Sequence, residues 1–309
     1  MPEKWVTIMG AFVADLTFRT RQLPAWGETI LGSDFRLGPG GKASNQAVAA
    51  ARLGGRVSFI SKLGRDTFGD LARALYKKEG IDTQCLLEAA DQATGGASIV
   101  VNEDGENAIV VVPGASFHLT CAEVERARPL IAQSAIFMTQ LELPIPVVEQ
   151  GLRLAHALGV TTILNPAPAA PLPDDVYPLC DYLTPNETEA AGLTGLPVKD
   201  LAGAERAAEA LLARGARNVV VTLGAQGALI KNATTTEVVP AFDAGPVVET
   251  TGAGDAFNGG FAIGLAQGLD MVAAARLGCA TAGISVTRHG TAPSMPQRAE
   301  VDALLARAR

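Results

Sequence analysis

Charge and cysteine are scarce in this chain, and two common nucleotide motifs are missing. Only 18% of the 309 residues are charged, and the formal net charge is −7. No cluster of Lys and Arg offers the basic patch that nucleic-acid binding needs. An anionic substrate must therefore be held by local devices such as helix N-termini. The four cysteines, Cys85, Cys121, Cys180 and Cys279, are far apart and form no C-x-x-C pair. That argues against a zinc site and against a secreted disulfide framework. No apolar stretch is long and charge-free enough to span a bilayer. Met1–Trp5 lead into a strand-like segment without a charged-then-apolar leader, so the expected location is the cytoplasm, with no nucleic-acid and no membrane partner. The phosphate-loop pattern G-x-x-x-x-G-K-[ST] is absent, as is a G-x-G-x-x-G opening the first helix, which weakens a dinucleotide-dependent dehydrogenase reading.

What is present is a long, 48% hydrophobic chain able to bury a large core without staples. Short β-branched runs (Val6–Met9, Val57–Ser61, Ala135–Thr139, Thr161–Leu164, Tyr182–Thr184, Val219–Leu223) alternate with amphipathic or Ala-rich segments. The latter predict helices at Ser44–Leu53, Phe68–Glu79, Ala122–Ile131, Pro146–Leu158, Glu187–Leu193 and Ala202–Arg214. Such alternation implies α/β architecture, a mainly parallel doubly wound sheet between helical layers. The unbroken apolar strands fit burial on both faces. Ala11–Leu37 alternates polar and apolar residues, and Ala97–Val112 reads as a hairpin turning at Asn102–Asn107. Together they suggest a small sheet inserted from about 11–37 and 97–112, serving as a lid or dimer contact, or else simple extensions of the main sheet. A further hairpin is expected at Ala228–Val239, then an extended Val247–Glu249 and helices over Gly254–Gly268, Met271–Val286 and from Arg298. No linker divides the chain, so a single domain spanning 1–309 is expected.

Several stretches carry chemistry. In Thr251–Asn258, small residues lead an extended segment into a helix. The helix N-terminus offers unpaired N–H groups to a phosphate, and Asp255 in that first turn suits a base for an attacking hydroxyl. The same residues also suit a dipole-complementing acid beside close-packing glycines. In Gly38–Gln46, glycines allow backbone approach while Lys42 and Asn45 supply donors for a polyol; alternatively the loop simply ends at Ser44 as N-cap. Asn186 with Glu189 forms a capping pattern that can also serve Mg²⁺ through water. Asp15, Glu142, Asn165 and Thr222 fall after strands, where an open parallel sheet has its ligand crevice.

In order, Gly10–Asp15, Gly40–Gln46, Gln140–Glu142, Leu164–Ala169, Thr184–Glu189, Thr251–Asn258 and Val286–Ser294 resemble the ribokinase-like carbohydrate kinase family. The resemblance covers nearly the whole chain. It implies a three-layer fold with a β lid and ATP-dependent phosphorylation of a sugar hydroxymethyl group, with D-ribose the expected sugar. Asp255 would be the base, and the N–H groups of Gly252, Ala253 and Gly254 the anion hole. Asp15, Gly41, Lys42, Asn45 and Glu142 would line the sugar pocket. Asn186 and Glu189 would serve the Mg²⁺–phosphate region, with Thr222, Gly224 and Gly227 near the nucleotide. Glu249, Thr251, Ser285, Arg288, Gly290 and Ser294 would surround a monovalent cation, K⁺, several through backbone carbonyls. The lids would pair two copies into a homodimer. Val13 departs from the family pattern, where an asparagine is typical; Glu249 replaces an aspartate, and Ser44 a smaller residue. Val13 leaves room for another sugar, a sugar acid or a nucleoside. A non-catalytic sensor on the same fold is disfavoured, since Asp255 and its glycines are intact.

Overall fold

Apolar β-branched runs fold here as strands buried on both faces. The computed structural model describes residues 5–104 and 106–307. Its strands are β1 (Trp5–Met9), β2 (Val13–Arg19), β3 (Asp34–Gly40), β4 (Arg56–Gly64), β5 (Leu86–Ala89), β6 (Thr94–Val101), β7 (Asn107–Gly114), β8 (Ser134–Thr139), β9 (Thr161–Leu164), β10 (Tyr182–Leu183), β11 (Asn218–Thr222), β12 (Ala228–Lys231) and β13 (Thr236–Val239). The helices are α1 (Lys42–Arg52), α2 (Thr67–Glu79), α3 (Cys121–Arg126), α4 (Arg128–Ile131), α5 (Ile145–Ala157), α6 (Glu187–Thr194), α7 (Leu201–Ala213), α8 (Ala253–Ala266), α9 (Met271–Ser285) and α10 (Arg298–Arg307).

The large sheet runs in the order β13-β12-β11-β10-β9-β8-β1-β4-β5. It is parallel from β11 to β5, and the β12–β13 hairpin closes one edge antiparallel. Side chains alternate between two cores, as a period of two demands. Val6, Ile8, Val57, Phe59 and Val220 pack towards α1, α8 and α9. Met9, Ile60, Phe137, Val219 and Val221 pack towards α5 and α7. Phe59, Phe137 and Phe261 are fully buried; each such side chain contributes about 1.5–3 kcal/mol through area removed from water.

Small residues bring α1 and α8 together. A Cβ on Gly259 would lie 2.5 Å from the Ala49 Cβ and 2.9 Å from the Gln46 carbonyl oxygen. That close approach sets the N-terminal turns of α1 and α8 side by side, and both carry candidate residues.

A separate sheet, ordered β3-β2-β6-β7, is built from the two segments that break the alternation. The Ala97–Val112 hairpin exists and is longer than expected; of its turn, Gly105 lies outside the described residues. Only parts of Ala11–Leu37 are strand, because Pro24 and Gly27 interrupt it. Ile109, Val110, Val111 and Val112 are exposed by half or more.

Other expectations need correction. Helix α1 begins at Lys42 with Gly41, not Ser44, as N-cap; Ser44 is buried inside the first turns. Strand β5 carries no strand signal in the sequence, and Ala122–Ile131 divides into α3 and α4. Among the described residues, no helix is long and apolar enough to cross a membrane.

Candidate active site

The parallel strands end on one edge, and the N-termini of α1 and α8 meet there. Gly41 carries the chain from β3 directly into α1 at φ 87°, the left-handed region. A Cβ there would fall 2.7 Å from the Ala11 carbonyl oxygen and 2.8 Å from the Val13 nitrogen, so only glycine fits. The turn presents the Lys42 N–H to Glu142 Oε2 at 2.9 Å.

One turn into α1, two adjacent amides reach across to α8. Asn45 Nδ2 donates to Asp255 Oδ2 at 2.9 Å, and Gln46 Nε2 donates to Asp255 Oδ1 at 3.0 Å. Gln46 Nε2 also lies 3.1 Å from Asn165 Oδ1, while Gln140 Nε2 donates to Gln46 Oε1. Asn165 Nδ2 donates to the Thr184 carbonyl at 2.9 Å, and Thr184 Oγ1 to Asn258 Oδ1 at 2.7 Å. Asn258 Nδ2 returns to the Gly254 carbonyl at 2.8 Å. The ends of β8, β9 and β10 are thus tied to the first turns of α8 by one buried polar network. Such a network holds the carboxylate by directed donors on both oxygens, although Asn45 Oδ1 and Gln140 Oε1 are buried without partners.

Helix α8 itself starts at Gly252 with φ 86°. The Ala253 N–H donates to the Thr250 carbonyl at 3.1 Å. Among the described residues, the N–H groups of Gly252 and Gly254 meet no protein acceptor. Unpaired N–H groups and the positive end of the helix dipole there suit a phosphoryl group.

Titration behaviour at the site is unusual. Burial pushes the Asp255 carboxyl above its ordinary range, against the pull of Lys42, Asn45 and Gln46. Burial likewise raises Glu142 to about 7; Lys42 opposes the shift and Asp255 adds to it. Asp15 rises to about 6 through burial, opposed by the Thr291 hydroxyl and reinforced by Asp255 and Glu249. Glu189 is also raised, first by burial. For Lys42, burial pulls the ammonium down, but Asp255, Glu142 and Glu189 outweigh it and the net shift is upward. Groups displaced together in one crevice mark a functional site.

The expected nucleotide residues occupy neighbouring strand ends. Asn186 caps α6 in a full capping box: its Oδ1 accepts the Glu189 N–H at 2.8 Å and Glu189 Oε2 accepts the Asn186 N–H at 2.9 Å. Thr222 joins this cap through its N–H to the Pro185 carbonyl, 2.9 Å. Gly224 and Gly227 form the turn that leads into β12. Each Glu189 oxygen keeps a lone pair beyond its contacts with Asn186, which suits a water shell on a hard divalent ion.

Of the expected cation residues, Glu249 and Gly290 are brought together, with the Gly290 N–H 3.1 Å from Glu249 Oε2. Ser294 Oγ donates to the Thr291 carbonyl at 2.8 Å, and Ser285 Oγ to the Ala282 carbonyl at 2.9 Å. The Arg288 guanidinium turns away to Glu300, so it offers this loop only main-chain atoms. Thr251 lies in the turn before α8. The Glu249 carboxylate beside the Gly290 turn offers hard oxygen donors of the kind a monovalent cation takes. Among the described residues, no cluster of three or more His, Cys, Asp and Glu forms a metal site.

Sequence reasoning gave no role to Gln46, Gln140, Asn258 or Thr291. Gln46 was the findable one, since it follows Asn45 on a helix beginning at Lys42. Thr291 had no local signal, because its partners lie in the small sheet.

Similarity to known proteins agrees with this geometry. The model of the pfkB family carbohydrate kinases matches residues 4–298. A ribokinase of Haemophilus influenzae is 40% identical over 96% of this chain and 97% of its own. A deoxyribokinase of Salmonella typhi is 36% identical over 94% of this chain and 95% of its own. The structure of Arabidopsis thaliana ribokinase complexed with ribose and ATP superposes with a TM-score of 0.91 at 30% identity, covering 99% of both chains. With the family model spanning nearly its whole length, the chain belongs to the pfkB family of carbohydrate kinases.

Proposed function

We propose that the chain transfers the γ-phosphoryl group of ATP to the hydroxymethyl group of D-ribose, giving D-ribose 5-phosphate. The observation that carries this reading is Asp255. It is a buried carboxylate held on both oxygens by Asn45 and Gln46, in the first turn of a helix whose glycine N–H groups are unpaired. Asp15, Gly41, Lys42, Asn45 and Glu142 hold the sugar hydroxyls. Asp255 takes the hydroxyl proton as the sugar oxygen bonds to the γ-phosphorus. The bond from that phosphorus to the bridging oxygen breaks, and ADP leaves with the electron pair. Gly252, Ala253 and Gly254 receive the charge of the transferring group. For Ala253 this requires its N–H to leave the Thr250 carbonyl.

Asn186 and Glu189 would meet the water shell of the Mg²⁺ that accompanies ATP, an ion that would neutralise phosphate charge there. Thr222, Gly224 and Gly227 lie along the nucleotide. Glu249 and the oxygens of Thr251, Ser285, Arg288, Gly290 and Ser294 would hold K⁺, which would supply positive charge beside the anion-binding turn. The whole chain acts as one catalytic unit in the cytoplasm, where its four free cysteines remain reduced. Its small sheet closes over the sugar and excludes water. The exposed Val110 and Val112 support a homodimer through that sheet.

One observation favours a second reading. Val13 is buried in an apolar cluster with Ala11 and Ala97, on the same strand face as Asp15. It offers no partner to a hydroxyl, and so favours a sugar with one hydroxyl fewer. The similarity to a deoxyribokinase points the same way. A coupled ADP-release assay with D-ribose, 2-deoxy-D-ribose and a nucleoside panel, with and without K⁺, tests both. D-ribose ranking first is expected; a large preference for 2-deoxy-D-ribose transfers the assignment to the second reading. No ADP release with any sugar or nucleoside overturns both.

A further inference from the structure

Thr291 sits where three parts of the molecule meet. Its side chain is buried, with 7% of the residue exposed, yet its hydroxyl belongs to no local turn. Oγ1 lies 3.2 Å from Asp15 Oδ2 on β2 and 3.0 Å from the Pro39 carbonyl on β3. Pro39 pairs with Ala14 in the small sheet, so one hydroxyl touches both strands beside the sugar pocket. Behind it, the glycine turn that starts α8 comes close: a Cβ on Gly252 would lie 3.3 Å from the Thr291 Cα and 3.4 Å from its Cβ.

The segment that carries Thr291 is anchored to the large domain. Arg52 Nη1 donates to the carbonyls of Ala292 at 3.2 Å, Pro293 at 3.2 Å and Met295 at 2.7 Å. Arg52 is itself paired with Glu79 at 2.8 Å, both side chains being largely buried. The Ser294 hydroxyl and N–H both return to the Thr291 carbonyl. Thr291 is therefore a fixed post, and the contacts it makes forward are with the lid.

We propose that Thr291 is a positioning residue: it latches the lid strands to the anion-binding turn and aims the Asp15 carboxylate at the sugar. The proposal rests on the reading of Asp15 as a sugar ligand and deepens it. A hydroxyl carries one proton and faces two acceptors here. When Asp15 is ionised the stronger acceptor is its carboxylate, and the charge-assisted bond fixes one oxygen while leaving the other for substrate. The Thr291 methyl and backbone meanwhile buttress Gly252. A lid displaced from the large domain loses the Asp15 contact, so sugar binding and lid closure are coupled through this side chain.

The test separates aim from bulk. Thr291→Val keeps the shape and removes the donor, whereas Thr291→Ser keeps the donor. With D-ribose as probe, Thr291→Val is expected to raise the sugar KM by roughly tenfold, as loss of a bond to a charged group would. The KM for ATP should stay within about twofold, and Thr291→Ser should restore the sugar KM. In an Asp15→Asn background, Thr291→Val should add little, because the two act as one unit. Equal rises in both KM values, failure of Thr291→Ser to restore, or full additivity with Asp15→Asn would overturn the latch. If Asp15→Asn raises the sugar KM while Thr291→Val does not, the latch fails and the site reading stands. If Asp15→Asn itself leaves the sugar KM unchanged, the assignment of Asp15 fails and takes the latch with it.

Discussion

The network around Asp255 and the small sheet face the same crevice and are built on opposite principles. In the network, amide side chains from α1, β8 and β9 are buried and engaged with one another, and the carboxylate they hold is already oriented. In the small sheet, Phe35, Val110 and Val112 are exposed by half or more, and the strands pack mainly on one another. A preorganised group contributes most where charge develops, since it costs no rearrangement at the moment of reaction. A weakly packed sheet contributes where motion is wanted, because local opening there costs little. On the proposed function, chemistry falls to the rigid part and access to the loose one.

The comparison breaks first at Gln46. Gln46→Ala removes one of the two amides on Asp255 and orphans Gln140. A fall in kcat of about one to two orders of magnitude is expected, from loss of roughly 1.5–3 kcal/mol of charged hydrogen bonding. Steady-state kinetics at saturating sugar and ATP check it; a kcat near wild type would mean that the network does not orient the base.

Acid should sharpen the contrast next. On the proposed function Asp15 and Glu142 accept sugar hydroxyls, for which the ionised carboxylates are the stronger acceptors, and burial raises the two groups to about 6 and about 7. Activity measured as kcat/KM should fall below neutral pH, by about tenfold per unit where one group controls it. Stability runs the other way. Folded pKa values raised above the unfolded ones mean that the folded state binds protons more readily, so these groups favour folding at low pH and lose that contribution as pH rises through about 6 to 7. A kcat/KM flat down to pH 5, the lower end of the profile measured alongside thermal melts, would contradict both assignments.

Charge placed on the small sheet probes its role in pairing two copies. Val110→Glu with Val112→Glu should halve the sedimenting mass if two lids pair. The melting temperature of the single chain should shift little, since both side chains are solvent-exposed. An unchanged mass would remove the lid from the interface. The smallest effect is expected at Ser44, whose buried hydroxyl lies without a hydrogen-bond partner near the equally buried Tyr76 hydroxyl. Ser44→Ala should change stability by no more than about 1 kcal/mol in denaturant melts, and a larger loss would reveal a bond between the two hydroxyls.

Much of this was legible in the residues. Alternation of unbroken apolar strands with Ala-rich helices pointed to the parallel sheet. Asp255 beside its glycines fitted a helix-dipole acid as well as a phosphoryl site until the ordered motifs of the family were set beside it. Strand β5 was hidden because four residues, half of them partly exposed, carry no clear alternation. The start of α1 was misplaced because serine is a familiar N-cap, whereas the cap is Gly41, whose left-handed backbone no side-chain rule reveals. Gln46, Gln140 and Thr291 escaped for a different reason. Their partners lie 94 to 276 residues away in sequence, and only the fold brings them together.

The central claim is that Asp255 is the base on a rigid framework, and turnover by Asp255→Asn tests it most directly. The amide has nearly the same shape, so the fold should persist. Its thermal stability at pH 8, the condition of the melt, should stay close to that of wild type, because removing a buried charge offsets setting the new –NH2 against the donor of Asn45 or Gln46. With D-ribose and ATP saturating, kcat is expected to drop by at least about a hundredfold while both ligands still bind. Turnover within a few-fold of wild type would contradict the account.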